Sequence, residues 1–274
     1  QYTYDSRGNV LSKTDALVNV TTITYDDNNN PLTRTDALGN ITIFEYDANG
    51  NLLKTTNPLG NITTVTYNIY GQPLTITDPR GKTTTHAYDA EGNLIEVTDA
   101  LGNKTIYTYD GAGRRLSITD ALNRITTFTY NDNNNLLTVT DPLGNVTTYT
   151  YDANNNKISV TDPKGNTTTY AYDVKDLLTT ITDPLGNAIT NTYDALDRKI
   201  FVTDKRGSLT TYVYDAVRNL VQVLTPNSEL TTYSYDANGN KLTETNPLGQ
   251  TVTSTYDALN RVISVIDPLG NTTT

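Results

Sequence analysis

Asp47-Ala48-Asn49-Gly50-Asn51 sets oxygen-bearing side chains at alternate positions around a glycine, the kind of donor set that suits a hard cation such as calcium. An EF-hand loop also needs a glutamate at its twelfth position, where this chain has Pro58, and the nonapeptide calcium repeat is missing, so the segment reads as a turn. His86 is the sole histidine and there is no cysteine, which leaves nothing to complete a zinc set or a nucleophilic triad. Asn-x-Thr at Asn19, Asn40, Asn61, Asn103, Asn145, Asn166 and Asn271 satisfies the N-glycosylation acceptor rule. Arg114-Arg115 and Lys205-Arg206 are the adjacent basic pairs, too sparse for a nucleic-acid footprint. These residues assign no catalytic group, no cofactor site and no metal site, and the reading is of a protein that is not an enzyme.

The elements that hold these residues follow from one period. Tyrosine recurs every 21 residues without insertion or deletion, at Tyr4, Tyr25, Tyr46, Tyr67, Tyr88, Tyr109, Tyr130, Tyr151, Tyr172, Tyr193, Tyr214, Tyr235 and Tyr256. A period in this range marks an array whose units are too small to bury a face alone. The motifs above are products of it: Asn-x-Thr arises wherever the residue leaving a turn precedes a strand threonine, and His86 stands where other repeats carry a ring.

Counting the tyrosine as position 0, position 14 is mostly glycine (Gly39, Gly60, Gly102, Gly144, Gly186), and position 4 is Gly, Asn or Asp in all repeats but one. Most prolines sit at position 12, giving Asp-Pro-Leu-Gly as in Asp141 to Gly144, the signature of a type I turn closed by a glycine bulge. Between the turns lie segments rich in Thr, Val, Ile, Leu and Tyr that read as strands. Alternation puts positions 7 and 9 on one face, and positions 17, 19 and the tyrosine on one face. An odd repeat keeps one face inward only if its two loops differ in parity. A three-residue loop at positions 12 to 14 and a four-residue loop at 1 to 4 meet that condition, pairing 7 with 19, 9 with 17 and 5 with the next tyrosine. Thr179 and Asn191, both polar, form one such expected pair. The two atypical turns, Val174 to Leu178 and Thr225 to Glu229, are expected to be distorted.

The fold class expected is all-β: 21-residue hairpin repeats in a continuous antiparallel ribbon, on the order of 120 Å long at the usual strand spacing, coiled into a spiral shell or tube. A parallel β-helix competes, but its corners would have to bend where Asp-Pro-Leu-Gly reverses the chain. The domain expectation is a single array of about thirteen repeats over 1–274, cut in mid-repeat at Gln1 and Thr274, with any targeting segment or cap outside it. Net charge is −10, and most of the acids are aspartates at positions 1 and 11, which makes the charge a by-product of turn chemistry. No run of 18 apolar residues marks a membrane span.

Tyr235-Asp236-Ala237-Asn238-Gly239-Asn240 and Thr140-Asp141-Pro142-Leu143-Gly144-Asn145 resemble the YD-repeat, or RHS-repeat, family. The resemblance implies a ribbon spiralling into a hollow shell, as in bacterial secreted polymorphic toxins, insecticidal toxin complexes, wall-associated proteins and teneurin-type adhesion receptors. In toxin members the shell encloses a carboxy-terminal effector and ends in a self-cleaving aspartyl protease segment. Here every Asp-Pro-x-Gly runs into a threonine strand, so no protease is expected. The implied function is a structural scaffold, extracellular or at the cell surface, enclosing or displaying a polypeptide such as an effector. Its expected partners are further repeats of the same chain and that enclosed polypeptide, without membrane insertion or nucleic acid. The alternative is a self-assembling filament, or an adhesion module using the tyrosine and threonine faces for glycans. A toxin-type hydrolase would need residues beyond Thr274.

Overall fold

In the computed structural model residues 1–15 and 17–273 are described; Ala16 and Thr274, the latter closing the expected array, lie outside them. The described residues form 27 strands of one sheet and no helix. Strand β1 (Tyr2–Tyr4) pairs with β2 (Val10–Thr14), β2 with β3 (Val20–Tyr25) and β3 with β4 (Pro31–Thr35), each antiparallel, and the same hairpin recurs every 21 residues. This is the expected ribbon, and the antiparallel registers exclude the parallel β-helix. Residues 1–89, 96–104 and 234–274 form one compact unit, and residues 90–95 and 105–233 a second. Within the first unit Tyr4 Oη reaches the Val262 carbonyl at 3.5 Å, bringing the two ends of the described chain together.

Both turns are built alike, which corrects the expected loop lengths. At the second turn Asp36 N donates to Asn40 O and Gly39 N to Asp36 O, enclosing three residues. At the first turn Asp47 N donates to Asn51 O and Gly50 N to Asp47 O, again enclosing three residues rather than four. Two equal loops cannot by themselves restore parity in an odd repeat, so the strand absorbs the extra residue. Thr24 faces Thr33 and Tyr25 faces Pro31, leaving Leu32 at position 7 as a β-bulge. The same slip follows Thr66, Thr108, Thr129 and Thr150.

The bulge also changes the expected pairs. Position 9 does face position 17, as Arg34 faces Thr42, but the described ladder ends with position 8 against 18, short of 7 with 19 and of 5 with the next tyrosine. Thr179 and Asn191 are therefore not partners: Thr179 Oγ1 donates to Ala171 O, while Asn191 faces Val202. The atypical turns are not distorted either. Asp176 and Ser228 both take φ 63° and close the same bonds as glycine-bearing turns.

Burial follows the register. In the strand Ile41–Tyr46, Thr42, Phe44 and Tyr46 are half-buried while Ile41, Ile43 and Glu45 are exposed. Positions 17, 19 and 0 thus share a face with 9 and 6, and the opposite face is threonine-rich, its hydroxyls paired across strands, as Thr24 with Thr33 at 2.7 Å. No hydrophobic side chain among the described residues is fully buried. A single layer has no second surface to bury against, so cohesion comes from the ladder, the turns and contacts along the ribbon.

Candidate functional site

The tyrosine face is built from one joint repeated along the chain. Where the bulge ends the ladder, the position 6 carbonyl is left without a strand partner on the following side, and an unpaired backbone acceptor is costly when covered. The next tyrosine supplies the donor from fifteen residues on. Tyr25 Oη donates to Val10 O at 3.0 Å, Tyr67 to Leu52 at 2.9 Å, Tyr88 to Pro73 at 3.0 Å and Tyr109 to Leu94 at 2.9 Å. Tyr130, Tyr172, Tyr193 and Tyr214 reach Arg115, Lys157, Leu178 and Lys199 in the same way. Tyr46 and Tyr151 hold the same register place, and burial raises their hydroxyl pKa values; Tyr235 ends the strand Leu230–Tyr235. At Leu178 the carbonyl accepts twice, from Tyr193 Oη and from Asn191 Nδ2, both at 2.9 Å.

The turn edges take up the acids. Asp141 Oδ1 accepts from Leu143 N and Asn145 N and its Oδ2 from Asn145 Nδ2, so the Asn145 side-chain amide, like those of Asn40 and Asn103, is engaged inside the turn. The Asn145 side-chain hydrogen bond, then its backbone hydrogen bond, hold the Asp141 carboxyl below the usual range. Asp47, the candidate cation ligand, is used identically by Asn49 and Asn51. The glycines singled out in the sequence, Gly39, Gly60, Gly102, Gly144 and Gly186, have φ between 78° and 84°, the left-handed step that closes the second turn. His86 lies on the tyrosine face, with its Nδ1 buried and unpartnered.

Position 5, to which sequence reasoning assigned only a strand pairing, ties several repeats to the next. Asn9 Nδ2 donates to Asn29 Oδ1, and Asn135 Nδ2 to Asn155 Oδ1. Arg114 and Arg198 substitute for asparagine there, each pairing with its own turn aspartate and lying over the following tyrosine, Tyr130 at 5.2 Å and Tyr214 at 4.8 Å. The signal was present in the column of Asn, Gln and Arg at that position. Position 13 does the opposite: Leu38, Leu59, Leu143, Leu185, Leu248 and Leu269 project from the turn tips, more than four-fifths exposed.

Units held together by inter-repeat hydrogen bonds, with polar groups consumed in turns and joints, define a structural repeat scaffold. The chain belongs to the RHS Repeat family, whose model matches it in overlapping segments across residues 4–188 and 219–272. No curated protein matches it. Among solved structures, the crystal structure of TcdB2-TccC3 is similar at 20% identity and TM-score 0.64, over 97% of this chain and 17% of that one. The crystal structure of TcdB2-TccC3-TEV is similar at 20% identity and TM-score 0.63, over 96% and 16%. The Photorhabdus luminescens Tc holotoxin pore is similar at 18% identity and TM-score 0.50, over 100% and 20%. These likenesses show the fold, and the chain spans about a sixth of the length of the chains it first matches.

Proposed function

We propose that residues 1–274 are a single array of about thirteen repeats, forming part of the wall of a hollow shell on a secreted or surface protein. The tyrosine and glycine columns are its structural residues, the wall itself catalyses nothing, and its work is to enclose or display a polypeptide such as a toxin effector. One observation carries this reading: a one-layer ribbon presents an apolar, aromatic face that no other element covers among the described residues. A face of that kind is stable when it faces a cavity, further repeats or cargo. Cryo-EM of the whole secreted protein, with limited proteolysis, tests it. Enclosed polypeptide density and a protease-resistant segment are expected; an empty, fully accessible ribbon overturns it.

The exposed leucines at position 13 favour a second association, edge to edge with further repeats. Those repeats belong to the same chain in the shell reading and to other copies in the filament reading. Sedimentation of the whole protein across concentration separates them, since only the filament grows.

A further inference from the structure

Within residues 105–233 the strands carry three charged side chains, all cationic and all at position 6: Arg115, Lys157 and Lys199. Every Asp and Glu of that span lies in a turn. The cations share the face of the position 19 rings: Arg115 lies 4.9 Å over Tyr107 and Lys157 4.8 Å over Tyr170. Arg114, Arg198 and Lys205 pair with the turn acids Asp110, Asp194 and Asp183, whereas Arg115, Lys157 and Lys199 make no ion pair among the described residues. Between them stand Leu136 and Leu178 at position 6, with Leu220 following Lys199, and a row of Val and Ile at position 9. In a chain of net charge −10, a face without acids and with evenly spaced free cations is complementary to an anion with apolar intervals.

We propose that this face binds an acidic polypeptide segment in extended conformation, its carboxylates on Arg115, Lys157 and Lys199 and its apolar side chains on the intervening leucines. Successive cations are four strands apart, about 19 Å, which an extended chain crossing the strands spans in about six residues. The face fits a polypeptide better than an acidic glycan. Leu136 and Leu178 at position 6 and the row of Val and Ile at position 9 stand between the cations, where apolar side chains of a peptide bury and sugar hydroxyls would lose their water without a replacement partner. The inference rests on the enclosure reading and names the chemistry of what is enclosed.

The test is fluorescence anisotropy with a labelled peptide of about 24 residues carrying Asp at about every sixth position among Val, Leu and Ser. The protein is compared with the triple variant Arg115→Gln, Lys157→Gln and Lys199→Gln, which removes the charges and keeps the first two methylenes of each stem. A thermal melt checks that the variant is folded. Expected are saturable binding that weakens with salt, about tenfold weaker binding by the variant, and no binding of the peptide with Lys for Asp. Binding by the variant within about twofold of the parent, equal binding of the Lys peptide, or displacement by alginate more readily than by unlabelled peptide overturns the proposal. If the whole protein protects an enclosed segment but the variant binds normally, this inference fails and enclosure stands. If nothing is enclosed and the peptide still requires the three cations, enclosure fails alone.

Discussion

Replacing a joint tyrosine with phenylalanine keeps the ring and removes only the hydroxyl that satisfies the position 6 carbonyl. At Tyr172 the lost bond is the 3.0 Å contact to Lys157 O, and at Tyr109 the 2.9 Å contact to Leu94 O. A net intramolecular hydrogen bond is worth about 1 kcal/mol, so each variant should lose about that much. The two sites are three repeats apart, about 29 Å at strand spacing, so the double variant should lose about 2 kcal/mol. Tyr193→Phe should cost less, because Leu178 O keeps its bond from Asn191 Nδ2, and adding Asn191→Val should cost more than the two single changes together. Tyr70, which is 79% exposed in a turn, gives the control: Tyr70→Phe should fall within about 0.5 kcal/mol of the parent. Urea unfolding at constant slope reads all of these as midpoint shifts. If Tyr172→Phe is silent, or Tyr193→Phe costs as much as Tyr172→Phe, the hydroxyl is not what the period preserves.

Other consequences follow from the turns. Asp141→Ala should lower the melting temperature, whereas Asp141→Asn should be mild, since Asn57 accepts Leu59 N and Asn61 N in the same way at its own turn. The folded state lowers the pKa values of Asp36, Asp141 and Asp267, so the unfolded chain takes up protons first. Stability should be full above about pH 4 and fall below it in acid titrations followed by circular dichroism, and Asp-to-Asn changes at these sites should flatten the profile. Val18 is a β-branched residue at φ 64°, so Val18→Gly should stabilise by about 1 kcal/mol in the same urea assay. Leu143, 86% exposed, should tolerate Ser with no change in melting temperature but with weaker self-association by sedimentation.

The period, the strands, both turn sites and the shared face of positions 9, 17, 19 and 0 were legible because turn chemistry and alternation act on neighbours in sequence. Parity was also legible as a demand: 21 is odd, so something must differ between the two halves of a repeat. What meets the demand was not. A loop of four and a bulge of one are equivalent in residue count, and Leu32 looks like any strand leucine until Tyr25 is seen facing Pro31. The tyrosine was legible as a ring, because position 19 shows that rings suit this face, while its hydroxyl acts on a carbonyl that only the bulge frees. For the same reason Thr179 and Asn191 looked like a mutual pair, when each answers a separate backbone oxygen. Arg115 was visible only as half of Arg114-Arg115; the register sends the first to a turn acid and the second to the ring face.

Bulge and tyrosine should therefore behave as one device, which a deletion can test. Ile158 is the bulged residue between Lys157, facing Tyr151, and Ser159, facing Thr150. Without it, Lys157 would directly precede Ser159 in regular alternation, keeping positions 6 and 9 on their present face, and the ladder that now ends with Ser159 against Thr169 would extend to Lys157 against Tyr170. The Lys157 carbonyl would then gain a backbone donor, and Tyr172 Oη would lose its task. Tyr172→Phe, expected to cost about 1 kcal/mol in the parent, should become nearly neutral in the Ile158 deletion, a coupling of about the full bond. The deletion should also straighten that hairpin, because a bulge bends its strand and adds local twist. An unchanged cost of Tyr172→Phe in the deletion background would mean that the tyrosine and the bulge recur together without depending on each other.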